Sequence, residues 1–233
     1  MKLEDLINIC ITEKKIVCLV GGGGKTTLMY LIAKEAAKTG KKVIVATTTH
    51  IMKPDECYAS TLGEVQALWD NCRYAVIGKD DEKNSEKLIF PGKSLYDSVE
   101  KNADLILFEA DGAKRFPCKI PAVHEPVIAD GCDLIIGVMG MSALGKSLSN
   151  CCFRFDNEGD WLAVQGDDLL DESIAVKILS SEKGTRKAVN DKDYIVVLNQ
   201  CDDEDMLKRA GIISRELISK YNIESVCCCL ERD

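Results

Sequence analysis

The 233-residue sequence has no excess of positive charge: 30 Lys and Arg face 38 Asp and Glu, a formal net charge of -8. The basic residues are scattered and form no stripe, which is unfavourable for sequence-independent contact with a polyphosphate backbone. Nucleic acid is therefore excluded as the expected partner. No apolar run approaches the roughly 20 residues that a membrane-spanning helix needs, and no secretory h-region precedes the first charged stretch. The expected location is the cytoplasm, with no membrane partner. Twelve cysteines are present, yet none forms a C-x-x-C pair, so a zinc ribbon is not supported. Several, such as Cys18 and residues 227–229, sit inside apolar runs, where cysteine acts as a small hydrophobe. The adjacent pair Cys151-Cys152 is held open for a metal or redox role. The chain also lacks internal repeats and low-complexity tracts.

What the chain does have is 46% apolar residues, enough for a full core. A helix is expected near residues 3–13, and apolar runs predict strands near 15–20, 43–47, 73–77, 104–109, 134–138, 193–198 and 224–229. Most are separated by helical stretches. Continuous rather than alternating apolar strands between helices indicate a parallel sheet covered on both faces. The expectation is one α/β domain over residues 1–233, a three-layer fold like that of P-loop nucleoside triphosphatases, with a mostly parallel sheet. The charged segment 79–93 reads as a surface excursion, and about 149–192 as a small helical insert.

In the first strand-to-helix junction, Ile16-Val17-Cys18-Leu19-Val20 breaks into Gly21-Gly22-Gly23-Gly24-Lys25-Thr26-Thr27 before an amphipathic stretch. Glycines let backbone N–H groups approach an anion closely, and the following helix adds the positive end of its dipole. Lys25 would reach outer phosphates, Thr26 would ligate Mg²⁺, and Thr27 would bond an inner phosphate. The full G-x-x-x-x-G-K-[ST] pattern is absent, because position 19 is Leu19; the shorter form resembles the phosphate loop of Mur-type ligases. Gly140-Met141-Ser142-Ala143-Leu144-Gly145-Lys146-Ser147 does fit the full spacing, but no packed helix is evident after it, so it reads as a loop near the site.

Three further strand ends carry chemistry. Thr47-Thr48-Thr49-His50 offers hydroxyls and an imidazole to metal, water or phosphate, or else caps the next element. Glu109 and Asp111 end an apolar strand at alternate positions, so both are expected to face the loop magnesium. Beyond them Lys114 and a proline-bracketed stretch with Lys119, His124 and Glu125 make a candidate substrate loop. Asn199-Gln200-Cys201-Asp202 resembles the N-K-x-D base-recognition element of GTP-binding proteins, with Gln200 in place of lysine; the alternative is a plain turn with a helix cap at Asp202.

Taken in order, residues 22–27, Thr47 to His50, Glu109 to Lys114, Lys119 to Val127, Leu144-Gly145-Lys146 and Leu198 to Asp202 resemble the YqeC family of accessory proteins for selenium-dependent molybdenum hydroxylases. Where that pattern has a His-Arg pair, this chain has Phe153-Arg154. The resemblance implies a nucleotide-binding helper in maturation of the selenium-containing molybdenum cofactor, with a hydroxylase apoenzyme or cofactor precursor as partner. The residues by themselves leave three readings open. One is a Mg²⁺-dependent hydrolase or transferase using ATP or GTP, with Lys25, Glu109 and Asp111 as the catalytic groups. The others are a nucleotide-gated assembly protein and an ATP-dependent ligase.

Overall fold

The computed structural model describes residues 1–230. Its elements run α1 (Leu3–Thr12), β1 (Ile16–Gly21), α2 (Lys25–Lys38), β2 (Val43–Thr47), β3 (Tyr58–Ala59), α3 (Leu62–Asp70), β4 (Ala75–Ile77), α4 (Lys93–Glu100), β5 (Leu105–Glu109), β6 (Leu134–Gly140), α5 (Glu172–Ser180), β7 (Asp193–Asn199), α6 (Glu204–Tyr221) and β8 (Glu224–Cys227). The eight strands form one sheet in the order β8-β7-β6-β1-β5-β2-β4-β3, and every neighbouring pair is parallel. This is the three-layer α/β architecture that the apolar runs predict.

Alternation along each strand divides the core between the two faces. Val17 and Leu19 of β1, with Leu105 and Leu107 of β5, pack under Leu28, Met29 and Ile32 of α2 and Leu6 of α1. Ile16, Cys18 and Val20 point the other way, with Ile106 and Phe108, toward Val65 and Trp69 of α3 and Val99 of α4. Farther along that second face, Val196 and Leu198 of β7 meet Ile178 of α5 and Ala210, Ile213 and Leu217 of α6. Side chains two apart share a face, so a strand buried on both sides must be apolar throughout.

The surface excursion expected at 79–93 has secondary structure of its own. It contains strands Lys79–Asp81 and Asn84–Ile89, which with Ile51–Met52 make a small antiparallel sheet. Buried Leu88 anchors it opposite Ile51. Segment 149–192 is helical only in pieces: Leu148–Cys151, Phe155–Glu158, the short turn Asp160–Leu162 and α5. Leu148, Phe155 and Ile174 pack into the same cluster as α6. Among the described residues no helix is long and apolar enough to cross a membrane.

Two aspartates staple the strand starts. Asp104 Oδ2 accepts the Lys42 N–H at 2.8 Å before β2. Asp133 Oδ2 accepts the N–H groups of Lys15 and Ile16, both at 2.9 Å, while the Asp133 N–H donates to the Ile16 carbonyl. Asp133→Ala strips the acceptor from the Ile16 N–H at the head of β1. Urea unfolding is expected to show a loss of about 1–2 kcal/mol.

Candidate functional site

The parallel register brings four strand ends together. Leu19 of β1 pairs with Glu109 of β5, Gly21 with Val138 of β6, and Gly140 of β6 with Asn199 of β7. The glycine loop after β1 therefore lies between the carboxylates after β5 and the asparagine after β7. Ligands of open parallel sheets sit beyond this carboxyl edge.

Packing of the loop explains its glycines. A Cβ on Gly23 would lie 2.2 Å from the Gly140 nitrogen, and one on Gly24 would lie 2.3 Å from Asn199 Nδ2. Both residues also have positive φ, +83° and +118°, which side chains rarely adopt. Asn199 Nδ2 donates to the Gly23 carbonyl at 2.8 Å, while its Oδ1 accepts the Leu230 N–H at 2.9 Å. The N–H groups of Gly21, Gly22 and Gly23 have protein acceptors in Asp111 and in the carbonyls of Val138 and Phe116. The N–H groups of the first turn of α2, at Lys25, Thr26 and Thr27, remain at the positive end of a 14-residue helix.

A buried ionic chain underlies the loop. Lys25 Nζ donates to the Gly21 carbonyl at 2.5 Å and lies 3.2 Å from Asp111 Oδ1 and 3.9 Å from Glu109 Oε1. Asp111 accepts the Gly21 N–H at 3.1 Å and pairs through Oδ2 with Lys119 Nζ, also at 3.1 Å. Lys119, with its side chain 0% exposed, continues to Glu125 Oε2 at 2.7 Å and to the Gly112 carbonyl at 2.7 Å. Glu125 in turn holds Arg154 Nη1 at 2.6 Å. Burial alone would lower the Lys25 ammonium, but Asp111 and Glu109 outweigh it and hold it above the usual lysine range. Lys25 therefore stays charged.

Glu109 and Asp111, equivalent in the sequence, have separate tasks in the fold. The strand ends at Glu109, so the two-residue repeat no longer governs Asp111. Glu109 Oε2 accepts the Thr26 hydroxyl at 2.6 Å, among the described residues the one direct contact between the loop hydroxyls and a carboxylate. Burial pushes the Glu109 carboxyl above its usual range, against the pull of Lys25 and Thr26. Asp111 is instead saturated by Gly21, Lys25 and Lys119.

The remaining expected residues are distributed around this centre. Thr47 and Thr48 turn their hydroxyls to backbone carbonyls, Thr47 to Glu109 at 3.1 Å and Thr48 to Val127 at 2.9 Å. His50 is exposed and lies 3.5 Å from Asp81 of the small sheet, away from the ionic chain. Lys119 and Glu125 are fixed within the chain and are not free arms of a closing loop, whereas His124 is exposed. Lys187 Nζ clamps the Ala122 and Val123 carbonyls beside it. Asp202 is exposed and accepts the Cys229 thiol at 3.0 Å; the cap of α6 is Asp203, not Asp202, with its carboxylate on the Met206 N–H. Gln200 Oε1 accepts the Ser142 hydroxyl, tying the loop after β6 to the β7 turn. After Gly140 comes only a short turn, Met141–Ala143, and a four-residue helix, so no long helix dipole faces residues 140–147.

Cys151 and Cys152 are buried, and Cys152 sits opposite Cys118 in a two-strand parallel pair. Burial pushes the Cys151 thiol up to about 12. Among the described residues no group of three or more His, Cys, Asp or Glu is arranged to hold a metal ion. The sharing of Glu125 by Lys119 and Arg154 escapes a reading of spacing, because the two cations come from separate segments. The one local signal is Lys119 inside Cys118-Lys119-Ile120, a charge in a short apolar run.

The YqeC protein family model matches residues 17–156, more than half of the chain. The chain belongs to the YqeC family. A relative named "Uncharacterized protein YqeC", from Escherichia coli (strain K12), is 28% identical over 158 residues, which is 65% of this chain and 62% of the relative. The matched YqeC stretch begins in β1 and passes Arg154, so it contains the whole ionic chain, while Asn199 and Asp202 lie beyond it.

Two outcomes test this geometry. Lys119→Met leaves Asp111 and Glu125 buried with one cation fewer each, and urea unfolding is expected to show a loss of about 3–5 kcal/mol. Glu109→Gln removes a carboxylate that the fold holds above its usual pKa. Such a group stabilises the folded state when protonated and loses that contribution as pH rises through its raised value. The variant is expected to melt higher than wild type at neutral pH, with the difference shrinking as pH falls toward the ordinary carboxylate range.

Proposed function

We propose that this chain binds a magnesium nucleoside triphosphate, ATP or GTP, at residues 21–27 and acts on its phosphates as a triphosphatase or as a phosphoryl or nucleotidyl transferase. The observation that carries this reading is the 2.6 Å contact between Thr26 Oγ1 and Glu109 Oε2 at the start of α2, beside the buried ammonium of Lys25. A hydroxyl and a carboxylate are hard oxygen donors, and magnesium commonly takes one or two carboxylates together with substrate phosphates and water. The donor set fits that ion. Bound there, magnesium supplies charge neutralisation on the phosphoryl oxygens.

The protein groups do the rest. Lys25, held charged by Asp111 and Glu109, presents a fixed cation to the outer phosphates. The N–H groups that open α2 favour an anion at the helix end, and Thr27 bonds an inner phosphate. Asp111 acts as a positioning residue, since its carboxylate orients Gly21, Lys25 and Lys119 together. Asn199 fixes the Gly23 carbonyl, and Asp202 supplies an exposed carboxylate at the end of the same turn, suited to the N–H pair of guanine.

The family resemblance supports a wider reading, in which this reaction serves maturation of the cofactor of a selenium-dependent molybdenum hydroxylase. The partner is then the hydroxylase apoenzyme or a cofactor precursor.

Calorimetric titration with magnesium and non-hydrolysable ATP and GTP analogues tests the site. Lys25→Ala and Thr26→Ala are each expected to weaken nucleotide binding by about tenfold or more. Asp202→Asn distinguishes the bases: a GTP-selective site loses its preference, and an ATP site is indifferent. Unchanged affinity in Lys25→Ala, with an unaltered circular dichroism spectrum, would remove the assignment.

A further inference from the structure

Cations collect beside the candidate site in a chain whose formal charge is -8. Lys114 Nζ lies 5.3 Å from the centre of the Phe153 ring, the Arg154 guanidinium carbon 5.0 Å, and buried Lys119 Nζ 5.9 Å. The ring's negative face offsets part of the repulsion among them. Within the ionic chain the charges balance, with Lys25, Lys119 and Arg154 set against Glu109, Asp111 and Glu125. Lys114 and Arg115 are in excess of that balance. Both are exposed, and among the described residues neither has a carboxylate within salt-bridge distance.

The backbone is a second, independent observation. Lys114, Arg115 and Arg154 have φ of 47°, 66° and 66°, the left-handed region that residues with a Cβ seldom occupy. Conformations of this kind persist where the surroundings over-determine them, and they concentrate at ligand clamps. Here the surroundings are explicit. The chain runs from Arg115 into Phe116 and Pro117, whose carbonyls accept the N–H groups of Gly23 and Gly140 at 3.0 and 2.8 Å. The Phe116 ring packs on Phe153 at 5.6 Å. Lys114 and Arg154 thus share one aromatic ring, and the backbone of Arg115 leads directly into the segment fastened to the glycine loop.

We infer that Lys114, Arg115 and Arg154 form a second anion site, distinct from residues 21–27, which takes the phosphate group of a small phosphorylated co-substrate. A phosphate monoester carries close to two negative charges at neutral pH, which matches the two cations in excess, Lys114 and Arg115, with the Glu125-paired Arg154 beside Lys114 on the Phe153 ring. Naming the ligand a co-substrate rests on the nucleotide reading of residues 21–27; the anion site itself does not.

Inorganic pyrophosphate is the probe, titrated calorimetrically into wild type, Lys25→Ala, and Lys25→Ala carrying Lys114→Asn and Arg115→Asn. Asparagine removes the charge and tolerates the left-handed backbone, so the fold is expected to survive, as a thermal melt will show. The expected result is that Lys25→Ala retains saturable pyrophosphate binding and that the two asparagines weaken it by about tenfold or more. Binding abolished by Lys25→Ala alone overturns the second site and leaves the nucleotide loop standing. Binding indifferent to Lys25→Ala but lost with the asparagines supports the second site and counts against the nucleotide loop. Binding unchanged by the asparagines overturns the inference.

Discussion

The carboxylate of Asp111 is the contact on which the rest of the site depends. It accepts the Gly21 N–H and faces the ammonium groups of Lys25 and Lys119, and all of these groups are buried. A buried charge is costly unless its partners replace water, and removing one partner leaves another stranded. The glycine loop, the strand after Phe116 and the Glu125 turn are therefore bound to one another through charge. Lys25 held in this way is charged and fixed in position by the protein's own groups.

Sheet order decides which strand ends can meet in this way. β1 is flanked by β5 and β6, so the loop that leaves it has Glu109 on one side and Gly140 on the other. β7 lies next to β6 and brings Asn199 to the Gly23 carbonyl. The glycines are the steric counterpart of this crowding, since Gly140 and Asn199 occupy the space that Cβ atoms on Gly23 and Gly24 would fill. A loop so closely packed has a defined shape of its own, with the N–H groups of Gly21, Gly22 and Gly23 taken up by protein acceptors.

At Lys114 and Arg115 excess charge and a left-handed backbone coincide. Lys114, Arg115 and Arg154 share left-handed φ values, and Lys114 and Arg154 lie over the Phe153 ring. A sequence reading isolates Lys114 as a candidate contact and leaves Arg115 aside, because neither spacing nor periodicity identifies a strained backbone. The same limit applies to Asp203, which caps α6 one residue after the aspartate that the motif selects.

Apart from the two-residue edge strand Tyr58–Ala59, the sequence by itself determined the strands of the parallel sheet, their double burial and the strand-loop-helix unit at residues 16–38. These follow from local rules: side-chain period, glycine freedom and helix-end polarity act over a few residues. Only the tertiary structure decided that Asp111 serves Gly21 and Lys119 and leaves Glu109 to Thr26, that Lys119 and Glu125 are internal, and that Phe153 gathers cations. Each of those outcomes joins segments far apart in the chain, from Lys25 through Lys119 to Arg154. Desolvation and close packing fix such contacts once the sheet order has placed the segments side by side, and no local pattern carries that order.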